Sequence, residues 1–513
     1  MPRDSIQALD QKTFDVIVIG GGVNGSSSAH HLAAAGYSVL LVDKGDFASG
    51  TSSRSSRILG NGMHYLAGGH SPWDFILRPK RFLTGCRMAR SALRSRAQMV
   101  SNTSGRLNRV KFAFPIYKDS IYKPWQFDAG MKVLKTLGTG GVDLAYERIS
   151  SQQAQRHPLL QWLRTPERIA SVATFDQFQF NWPERVVIDT IMHAQDLGAA
   201  VRNYTSVTGL DRNDAADTWR ASIKDMVSGE TATVNASLVL NTAGIWIDDV
   251  NRKTGQACSR KITGTKGIHI AVRLPPECKG ASVTWQNRDN EHMYILPWQD
   301  LHYIGPTETI YEGDLDDIHP TEDEIRWVID EAKYMLPGLP IAREDVVYAW
   351  AGVRPWTYSA DAPKGLRVRV IHDLAQEGMK GILALTGGPL MSHRAAGKEA
   401  LEAVEARLRP SLAPKPISYA ARKFAAPPDV QRLKLAPDVT ILELRHAAQT
   451  EQPLTLVDLL FRRVPVGWFG GMDPAIAEEA APAVADILGW DAEDIAREVQ
   501  AYKTHLRHFH LVE

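Results

Sequence analysis

Residues 14–43 read FDVIVIGGGVNGSSSAHHLAAAGYSVLLVD and decide the fold of the chain. The apolar run Phe14–Ile19 predicts a buried strand, which leads into the glycine-rich turn Gly20–Gly25. The small residues Ser26–Ala35 predict a helix, and a second apolar run after it ends at Asp43. Strand, glycine turn, helix, strand and terminal acid are the parts of a dinucleotide-binding βαβ unit.

The residues of this turn have distinct physical roles in binding a pyrophosphate. Gly20 permits the tight turn, Gly22 lets the backbone approach phosphate oxygens without a Cβ, and Gly25 allows helix and strand to pack closely. The free N–H groups at the start of the helix face the phosphates, and Asn24 is a further predicted contact. Asp43 is placed to accept hydrogen bonds from the adenosine ribose. An ordinary glycine-rich loop is the alternative, and the turn alone leaves NAD and FAD open.

The composition is typical of a soluble globular protein. The chain has 513 residues, 44% of them hydrophobic and 23% charged, which suffices for roughly two or three domains. Its 59 basic and 58 acidic residues give a net charge of +1, so nothing favours nucleic acid as a partner. The three cysteines are widely spaced, which argues against a disulfide framework and against a cysteine metal site. No metal is predicted.

The chain carries no recognisable targeting or membrane-spanning segment. Met1–Lys12 is polar and lacks the apolar core of a secretory signal. No run approaches the ~18 apolar residues that a membrane span needs. We therefore expect a reducing, cytoplasmic location, while contact with a membrane surface stays open.

The segment after Asp43 predicts a second contact with the cofactor. Residues 50–57 read GTSSRSSR and are dense in hydroxyls and cations. Hydroxyl and backbone N–H groups beside arginine suit oxyanions, and a plain polar loop is the alternative. The residues assigned to this contact are Thr51, Ser52, Ser53 and Arg57.

Later segments complete the organisation of the chain. Ala236–Ala243 predicts a buried strand, and Gly381–Gly388 predicts a strand that breaks on its last two glycines. A proline-rich linker, Arg409–Pro416, precedes a C-terminal part that is mostly helical. No internal repeat is apparent, which argues against a solenoid or a propeller.

With these pieces in order along nearly the whole chain, the sequence resembles the FAD-dependent glycerol-3-phosphate dehydrogenases. That family belongs to a wider superfamily with D-amino-acid and glycine oxidases. The residues that carry the resemblance are Phe14–Gly25, Thr51–Ser53 through Tyr65-Leu66, Asn241–Trp246, Lys266–His269, Gly352–Pro355 and Leu456–Arg463.

The resemblance implies an α/β fold with an α+β substrate domain. A Rossmann-like FAD-binding domain would comprise residues 14–78, 150–260 and 350–408, and an inserted antiparallel-sheet substrate domain would comprise 79–149 and 261–349. A C-terminal helical domain would cover 417–513. The resemblance also implies noncovalent FAD. It assigns further cofactor contacts to Lys44, Val207, Ala243, Gly244, Trp246, Gly387, Gly388, Leu390 and Met391.

Two segments depart from the family pattern at the expected substrate pocket. Family sequences read Gly-Gly-Leu-Arg-Tyr at Asn61–Tyr65 and Gly-Gly-Lys-Leu-Thr-Thr at Gly387–Ser392. His64 and Pro389 therefore replace an arginine and a lysine that help to hold the substrate and its phosphate in the family. Each lost charge-assisted hydrogen bond is worth about 1.5–3 kcal/mol. We expect a substrate other than glycerol 3-phosphate.

Oxidation of a secondary alcohol by flavin needs a base and a partner for the substrate's oxygen or acid group. Lys266–Val272 places His269 in an apolar alternation, and we assign it as the base or hydroxyl contact, with a core histidine as the alternative. Arg354 follows an apolar run, where a guanidinium needs a polar or anionic partner. We assign it to the substrate, with a structural ion pair as the alternative. Further predicted substrate contacts are His64, Tyr65 and His393, with a water-exposed loop histidine as the alternative for His64.

The resulting hypothesis is an FAD-dependent dehydrogenase. It would oxidise the secondary hydroxyl of a polyol, a polyol phosphate or a hydroxy acid by hydride transfer to flavin, with a quinone or another acceptor taking the electrons. A second hypothesis is an amine or amino-acid oxidase or dehydrogenase of the same superfamily, and a third is a flavin-binding protein without turnover. The resemblance also implies a peripheral position on the inner face of the cell membrane, and it leaves a homo-oligomer open.

Overall fold

The computed structural model describes residue 3 and residues 5–66, 79–103, 105–120, 122–428, 430–469 and 471–512. Of residues 64 and 79–81 it describes the backbone alone. The predicted FAD-binding segment 14–78 thus ends in residues that lie outside the described part of the chain. The same holds for the side chain of His64.

The described chain forms three sheets with helices around them. The strands are β1 (Thr13–Ile19), β2 (Val39–Val42), β3 (Ile58–Leu59), β4 (Leu107–Tyr117), β5 (Glu147–Ile149), β6 (Ile169–Phe180), β7 (Ala200–Arg202), β8 (Thr205–Asn213), β9 (Thr218–Asp225), β10 (Thr231–Asn241), β11 (Ile262–Val272), β12 (Val283–Gln286), β13 (His292–Trp298), β14 (Leu301–Gly305), β15 (Thr309–Ile310), β16 (Val346–Ser359), β17 (Ala362–Leu366), β18 (Val370–Asp373) and β19 (Ile382–Thr386). The helices are α1 (Val23–Ala34), α2 (Pro79–Asn102), α3 (Pro124–Thr136), α4 (Ser151–Ala154), α5 (Pro183–Asp196), α6 (Ile247–Arg252), α7 (Glu322–Met335), α8 (His393–Glu405), α9 (Ile441–Thr450), α10 (Leu456–Asp458), α11 (Ile476–Leu488) and α12 (Ala492–His510).

The first sheet contains the predicted βαβ unit as β1, α1 and β2. Its order is β18-β19-β10-β1-β2-β7, with β9 beside β10 and β8 beside β9. β1 pairs in parallel with both β2 and β10, and Val16, Ile17 and Val18 are fully buried. A parallel strand covered on both faces needs apolar residues on both, which explains the unbroken apolar run. α1 packs against α5 and α8.

Two boundaries in this sheet differ from the prediction for local reasons. α1 begins at Val23, before the predicted Ser26, because Gly22 is already its N-cap residue. The sequence also predicts one strand over Val201–Thr208. The structure divides it between β7 and β8, because Tyr204 adopts the left-handed conformation with φ of 44°. A residue with positive φ interrupts an extended strand.

The second sheet is antiparallel throughout and runs β12-β13-β14-β11-β16-β17, with β15 on β11. β11 pairs with β16 over the whole length of β11, from Ile262 opposite Thr357 to Val272 opposite Val346. α7 packs against β11 and β14. The predicted fold class, a Rossmann-like domain with an antiparallel substrate sheet and a helical C-terminal part, is confirmed.

A third, smaller sheet joins β3, β6 and β4, with β5 on β6. The predicted domain bounds stay a proposal, and the strand pairings indicate two changes to them. β6 lies within the predicted segment 150–260 but pairs with β4, and most of β16 lies within 350–408 but pairs with β11. Because strands of one sheet bury a common face, we propose that β6 and β16 belong to the substrate domain.

The C-terminal helices dock onto the first sheet through buried ion pairs. α10 continues as a π-helical turn, Leu459–Arg463. Within this turn, Arg462 and Arg463 contact the carboxylate of Asp46 at 2.5 and 2.6 Å. Burial raises the pKa of Asp46, but the two arginines outweigh it and hold the pKa at about 2. Among the described helices, none combines the length and the apolar character that crossing a bilayer requires.

Candidate active site

A cavity of about 1590 Å³ is lined by residues of all three sheets. Its volume exceeds the roughly 300–1,000 Å³ of common ligand pockets, so it has room for a dinucleotide together with a small substrate. The predicted site residues on its wall are Gly20, Gly22, Asn24, Asp43, Lys44, Thr51, Ser52, Arg57, Tyr65, Val207, Ala243, Gly244, Trp246, His269, Arg354, Gly388, Leu390 and Met391.

The N-terminal glycine turn forms one end of this cavity. Gly20 has φ of 105°, which favours glycine. A Cβ on Gly25 would lie 1.8 Å from the carbonyl oxygen of Gly20. Gly25 is therefore a packing residue, and it is not among the cavity-lining residues. The turn and the first residues of α1 bring backbone N–H groups to the wall, as a pyrophosphate requires.

A side-chain hydrogen bond joins the second glycine turn, Gly387-Gly388, to the N-terminal glycine turn. Asn24 Nδ2 donates a hydrogen bond to the Gly387 carbonyl at 3.0 Å. Gly388, Leu390 and Met391 line the cavity behind this contact, whereas Gly387 does not. The two turns, more than 360 positions apart in the chain, thus border a single space.

The residues predicted at the adenosine end of the cofactor lie together, and Asp43 and Lys44 already bond to other groups of the protein. Asp43 accepts hydrogen bonds from the backbone N–H groups of Gly21 at 2.6 Å and Gly45 at 2.9 Å. Burial raises the pKa of Asp43 to about 6, although these N–H groups act in the opposite direction. Lys44 lies 4.4 Å above the Trp246 ring and pairs with Asp316 at 2.5 Å.

The hydroxyl-rich segment has a more structural role than predicted. Ser52 Oγ accepts from the Val23 N–H at 3.0 Å, and Thr51 Oγ1 donates to a backbone carbonyl of β16 at 2.7 Å. Ser53 donates to the Ala48 carbonyl and does not line the cavity.

Arg57 combines an ion pair within the protein with a position on the cavity wall. Its guanidinium is buried, pairs with Glu184 at 3.2 Å and lies 4.1 Å from the Trp468 ring centroid. Ser53 lies off the cavity wall, so the assignment of its side chain to the cofactor is corrected, whereas that of Arg57 stays a prediction. Short polar side chains satisfy nearby backbone groups first, and a buried guanidinium needs a carboxylate.

His269 lies on β11 at the floor of the cavity. Its ring stacks on Trp350, its neighbour on β16, with centroids 4.8 Å apart. Nε2 is hydrogen-bonded to Tyr294 Oη at 3.0 Å, and Nδ1 has no partner in the described part of the chain. Burial first, and then Arg354 and Arg57, lower the pKa of His269 well below its ordinary value. The imidazole is therefore neutral at physiological pH.

Arg354 projects from β16 beside β11. A Cβ on Gly267 would lie 2.4 Å from Arg354 Nη2, so that glycine leaves room for the guanidinium. Nη1 donates to the Thr307 carbonyl at 3.3 Å, and within the described residues no carboxylate forms an ion pair with it. Burial lowers the pKa of Arg354, while Glu308 nearby acts in the opposite direction. The guanidinium thus keeps donors for a bound molecule.

The predicted substrate residues divide between the wall and the interior. Tyr65 lines the cavity. His393 does not, because it is buried at the start of α8 and its Nδ1 is hydrogen-bonded to the Leu390 carbonyl at 2.9 Å. Burial lowers the pKa of His393 to about 3. The prediction that His393 contacts the substrate is therefore corrected, because His393 is buried at the start of α8 and does not line the cavity.

Sequence reasoning missed several residues of this site. Tyr294 lies on β13 beside the imidazole and is also hydrogen-bonded to Ser56. Arg367 lines the cavity and pairs with Glu308 at 2.5 Å. The sequence signal for Tyr294 was a polar aromatic residue within the apolar strand β13. The strand order that brings Tyr294 opposite His269, however, depends on residues that are distant in the sequence.

The residues of the cavity fit FAD. The glycine turn leaves backbone exposed where a pyrophosphate binds, and Asn24 Oδ1 is buried with no partner in the described protein. His269 Nδ1 is likewise unsatisfied. Buried polar atoms are normally hydrogen-bonded, so unsatisfied atoms on the same wall indicate a bound molecule that supplies the partners.

Comparisons with known proteins agree with this geometry. A sequence model of the family described as FAD dependent oxidoreductase matches residues 15–403. The glycerol-3-phosphate dehydrogenase of Synechocystis sp. is 31% identical over 422 residues, which cover 80% of this chain and 73% of that protein. The glycerol-3-phosphate dehydrogenase of Mycobacterium leprae is 26% identical, with 96% of this chain and 88% of that protein covered.

Solved structures show the same fold. The crystal structure of the glycerol-3-phosphate dehydrogenase from Bacillus halodurans complexed with FAD superposes with a TM-score of 0.72 at 20% identity, covering 98% of this chain and 96% of that one. A glycine oxidase from Geobacillus kaustophilus gives a TM-score of 0.54 at 19% identity, covering 81% and 100%. The predicted resemblance and the predicted cofactor are confirmed. The chain therefore belongs to the FAD-dependent oxidoreductase family, as a relative of the glycerol-3-phosphate dehydrogenases.

Proposed function

We propose that this enzyme oxidises the secondary hydroxyl of a small polar substrate and passes the electrons to a quinone. The substrate is a polyol, a polyol phosphate other than glycerol 3-phosphate, or a hydroxy acid. The observation that carries the proposal is the position of His269 and Arg354 on the wall of the cavity that both glycine turns border. FAD, when bound, supplies the hydride acceptor.

His269 is proposed to take the hydroxyl proton. The imidazole is neutral, and it is competent as a base when Nε2 donates its hydrogen to Tyr294 Oη, which leaves Nδ1 as the acceptor. In this tautomer Tyr294 Oη fixes the ring by accepting the hydrogen of Nε2. A base aligned in this way contributes about 10²–10⁴-fold to the rate.

The charges on the wall favour a singly charged or neutral substrate over a phosphate dianion. Pro389 lines the cavity without a charge, and Arg367 is already paired with Glu308. Arg354, by contrast, forms no ion pair among the described residues and donates to one backbone carbonyl. The wall also includes four phenylalanine rings: Phe112, Phe114, Phe127 and Phe175. Among the three substrate classes, a hydroxy acid with an apolar end fits these features best.

A second candidate function is oxidation of an amine or amino acid. Arg354 can hold an amino-acid carboxylate as well as that of a hydroxy acid, so the same residue supports both. A flavin-binding protein without turnover is the third candidate. Loss of flavin absorbance without oxygen separates the three, when polyols, polyol phosphates, hydroxy acids and amino acids are added in turn. Efficient bleaching by glycerol 3-phosphate would contradict the proposed substrate, and no bleaching by any compound would favour the third candidate.

We expect His269→Ala and Arg354→Ala each to reduce kcat/KM while the purified protein keeps its flavin. The loss of the base lowers kcat by about 10²–10⁴-fold. The loss of the guanidinium removes charge-assisted hydrogen bonds of about 1.5–3 kcal/mol, which is about 10–150-fold in kcat/KM. Stopped-flow flavin reduction measures both effects.

Two exposed residues provide matched controls for these variants. His446 lies on α9, and Arg273 follows β11; both are exposed and neither lines the cavity. Their alanine variants should keep kcat/KM within about twofold of wild type, because exposed residues away from a site change little. Unchanged kcat/KM in His269→Ala and Arg354→Ala would remove the assigned chemistry.

We also propose that the FAD is noncovalent and that the enzyme works in the cytoplasm at the inner face of the membrane. The exposed face of α2 carries Arg87, Arg90 and Arg94, and Leu83 beside them is 55% exposed. Basic and apolar groups together favour an anionic lipid surface. Release of flavin on denaturation tests the cofactor linkage, and co-sedimentation with anionic vesicles tests membrane contact. Reoxidation by a quinone analogue tests the electron acceptor, and light scattering measures the oligomeric state.

A further inference from the structure

The end of the C-terminal helix meets a loop of the substrate sheet at a cluster of two histidines and one aspartate. His508 Nε2 lies 2.6 Å from Asp317 Oδ1, and His319 Nδ1 lies 3.3 Å from the same oxygen. The two imidazole rings have centroids 4.6 Å apart. Asp317 and His319 precede α7, whereas His508 is in the last turn of α12, so the cluster joins distant parts of the chain.

We propose that Asp317, His319 and His508 bind a divalent transition-metal ion such as Zn²⁺. One ligand atom from each residue lies within 4.8 Å of the others. Ligand atoms on one Zn²⁺ with bonds of about 2.0–2.2 Å are about 3–3.5 Å apart. Two of the three pairs are already that close or closer, so modest side-chain rotations complete the set.

The chemistry of the ligands selects the class of ion. Two imidazoles with one carboxylate suit Zn²⁺, Ni²⁺ and Fe²⁺, whereas Ca²⁺ and Mg²⁺ prefer oxygen ligands alone. The three side chains are 35–47% exposed, so an ion can enter from solvent. Water molecules would fill the remaining positions, because three protein ligands leave at least one coordination site open.

Such an ion would connect the C-terminal helices to the wall of the cofactor cavity. Asp316 and Ile318, which flank Asp317, line that cavity. Arg54 Nη1 donates to the Ile318 carbonyl at 2.8 Å and its guanidinium lies 5.2 Å from the Phe509 ring. The site is separate from His269 and Arg354, so the proposal does not depend on the reaction that the enzyme catalyses.

Calorimetric titration of the tag-free holoenzyme with Zn²⁺ at pH 7 tests the proposal. We expect one ion per chain and affinities that fall by about tenfold or more in His508→Gln, His319→Gln and Asp317→Asn. Zn²⁺ at a hundredfold excess over Kd should raise the Tm of the wild type by about 2–5 °C. The same addition should raise the Tm of the three variants by no more than about half that amount, because the ion is then at about tenfold excess or less over their weaker Kd.

The exposed His446 on α9 supplies the matched control. His446→Gln should bind Zn²⁺ as the wild type does, because its ring packs on Phe424 outside the cluster. The proposal is overturned if wild-type protein binds no Zn²⁺, since the three residues would then form ion pairs alone. It is equally overturned if all three cluster variants retain wild-type affinity, since the ion would then lie elsewhere.

Discussion

At the scale of single residues, the orientation of His269 depends on one hydroxyl. Tyr294 Oη is the hydrogen-bond partner of Nε2, and Nε2–H donation to it leaves Nδ1 free to accept a proton. We expect Tyr294→Phe to lower kcat by about 10–100-fold with little change in flavin content, because the competent tautomer is no longer favoured. Single-turnover flavin reduction measures the change.

A second buried tyrosine of the same sheet controls for the loss of a hydroxyl. Tyr348 on β16 accepts a hydrogen bond from Trp298 Nε1 at 2.8 Å and does not line the cavity. Tyr348→Phe should reduce the free energy of unfolding by about 1 kcal/mol while kcat stays within about twofold of wild type. Equal loss of kcat in both variants would mean that Tyr294 acts through stability alone.

At the scale of secondary structure elements, the close contact of α1 with the glycine turn limits what the helix can carry. Because a Cβ on Gly25 would lie 1.8 Å from the Gly20 carbonyl oxygen, Gly25→Ala must displace backbone. We expect a loss of about 3 kcal/mol or more in the free energy of unfolding and purified protein with little bound FAD. Flavin absorbance relative to protein and urea denaturation measure these effects.

Gly130 in α3 is the matched helical glycine, because a Cβ there meets no atom within 4 Å. Gly130→Ala should raise the free energy of unfolding by about 0.5–1 kcal/mol, as expected from helix propensity. If Gly25→Ala were as stable and as yellow as Gly130→Ala, the assigned packing role of Gly25 would be wrong.

At the scale of the whole molecule, Asp46 holds the C-terminal helices against the first sheet. Asp46→Asn leaves Arg462 and Arg463 buried with reduced compensation, which we expect to lower the free energy of unfolding by about 3–5 kcal/mol. The wild-type contribution should be lost as pH falls from about 4 toward 2, because the arginines hold the folded pKa of Asp46 at about 2. Urea denaturation and limited proteolysis measure both.

An exposed ion pair in the C-terminal part of the chain provides the reference for the change in the free energy of unfolding. Asp486 pairs with Arg445 at 2.6 Å, with its side chain 64% exposed. Asp486→Asn should change the free energy of unfolding by less than about 1 kcal/mol. A similar small effect of Asp46→Asn, without faster proteolysis of the C-terminal helices, would contradict the docking role.

The parts that the sequence predicted are those with a short physical signature. The glycine turn, Asp43 and the histidine in an apolar strand each depend on a few adjacent residues, and these lie around one cavity. The partner of Arg57 was not predictable, because Glu184 is more than 120 positions away. His393 was misassigned because its position at the start of α8, and not its spacing from Gly388, decides where its ring points.

The hydrogen bond from Asn24 to the Gly387 carbonyl has a consequence for biosynthesis. Its two residues are 363 positions apart, so a ribosome has made most of the chain before the second turn can reach the first. Contacts between distant residues form late in folding, and flavin capture is therefore close to the final event in maturation. In cells short of riboflavin, proteases should remove full-length chains that lack the cofactor, so vitamin supply would set the abundance of this enzyme.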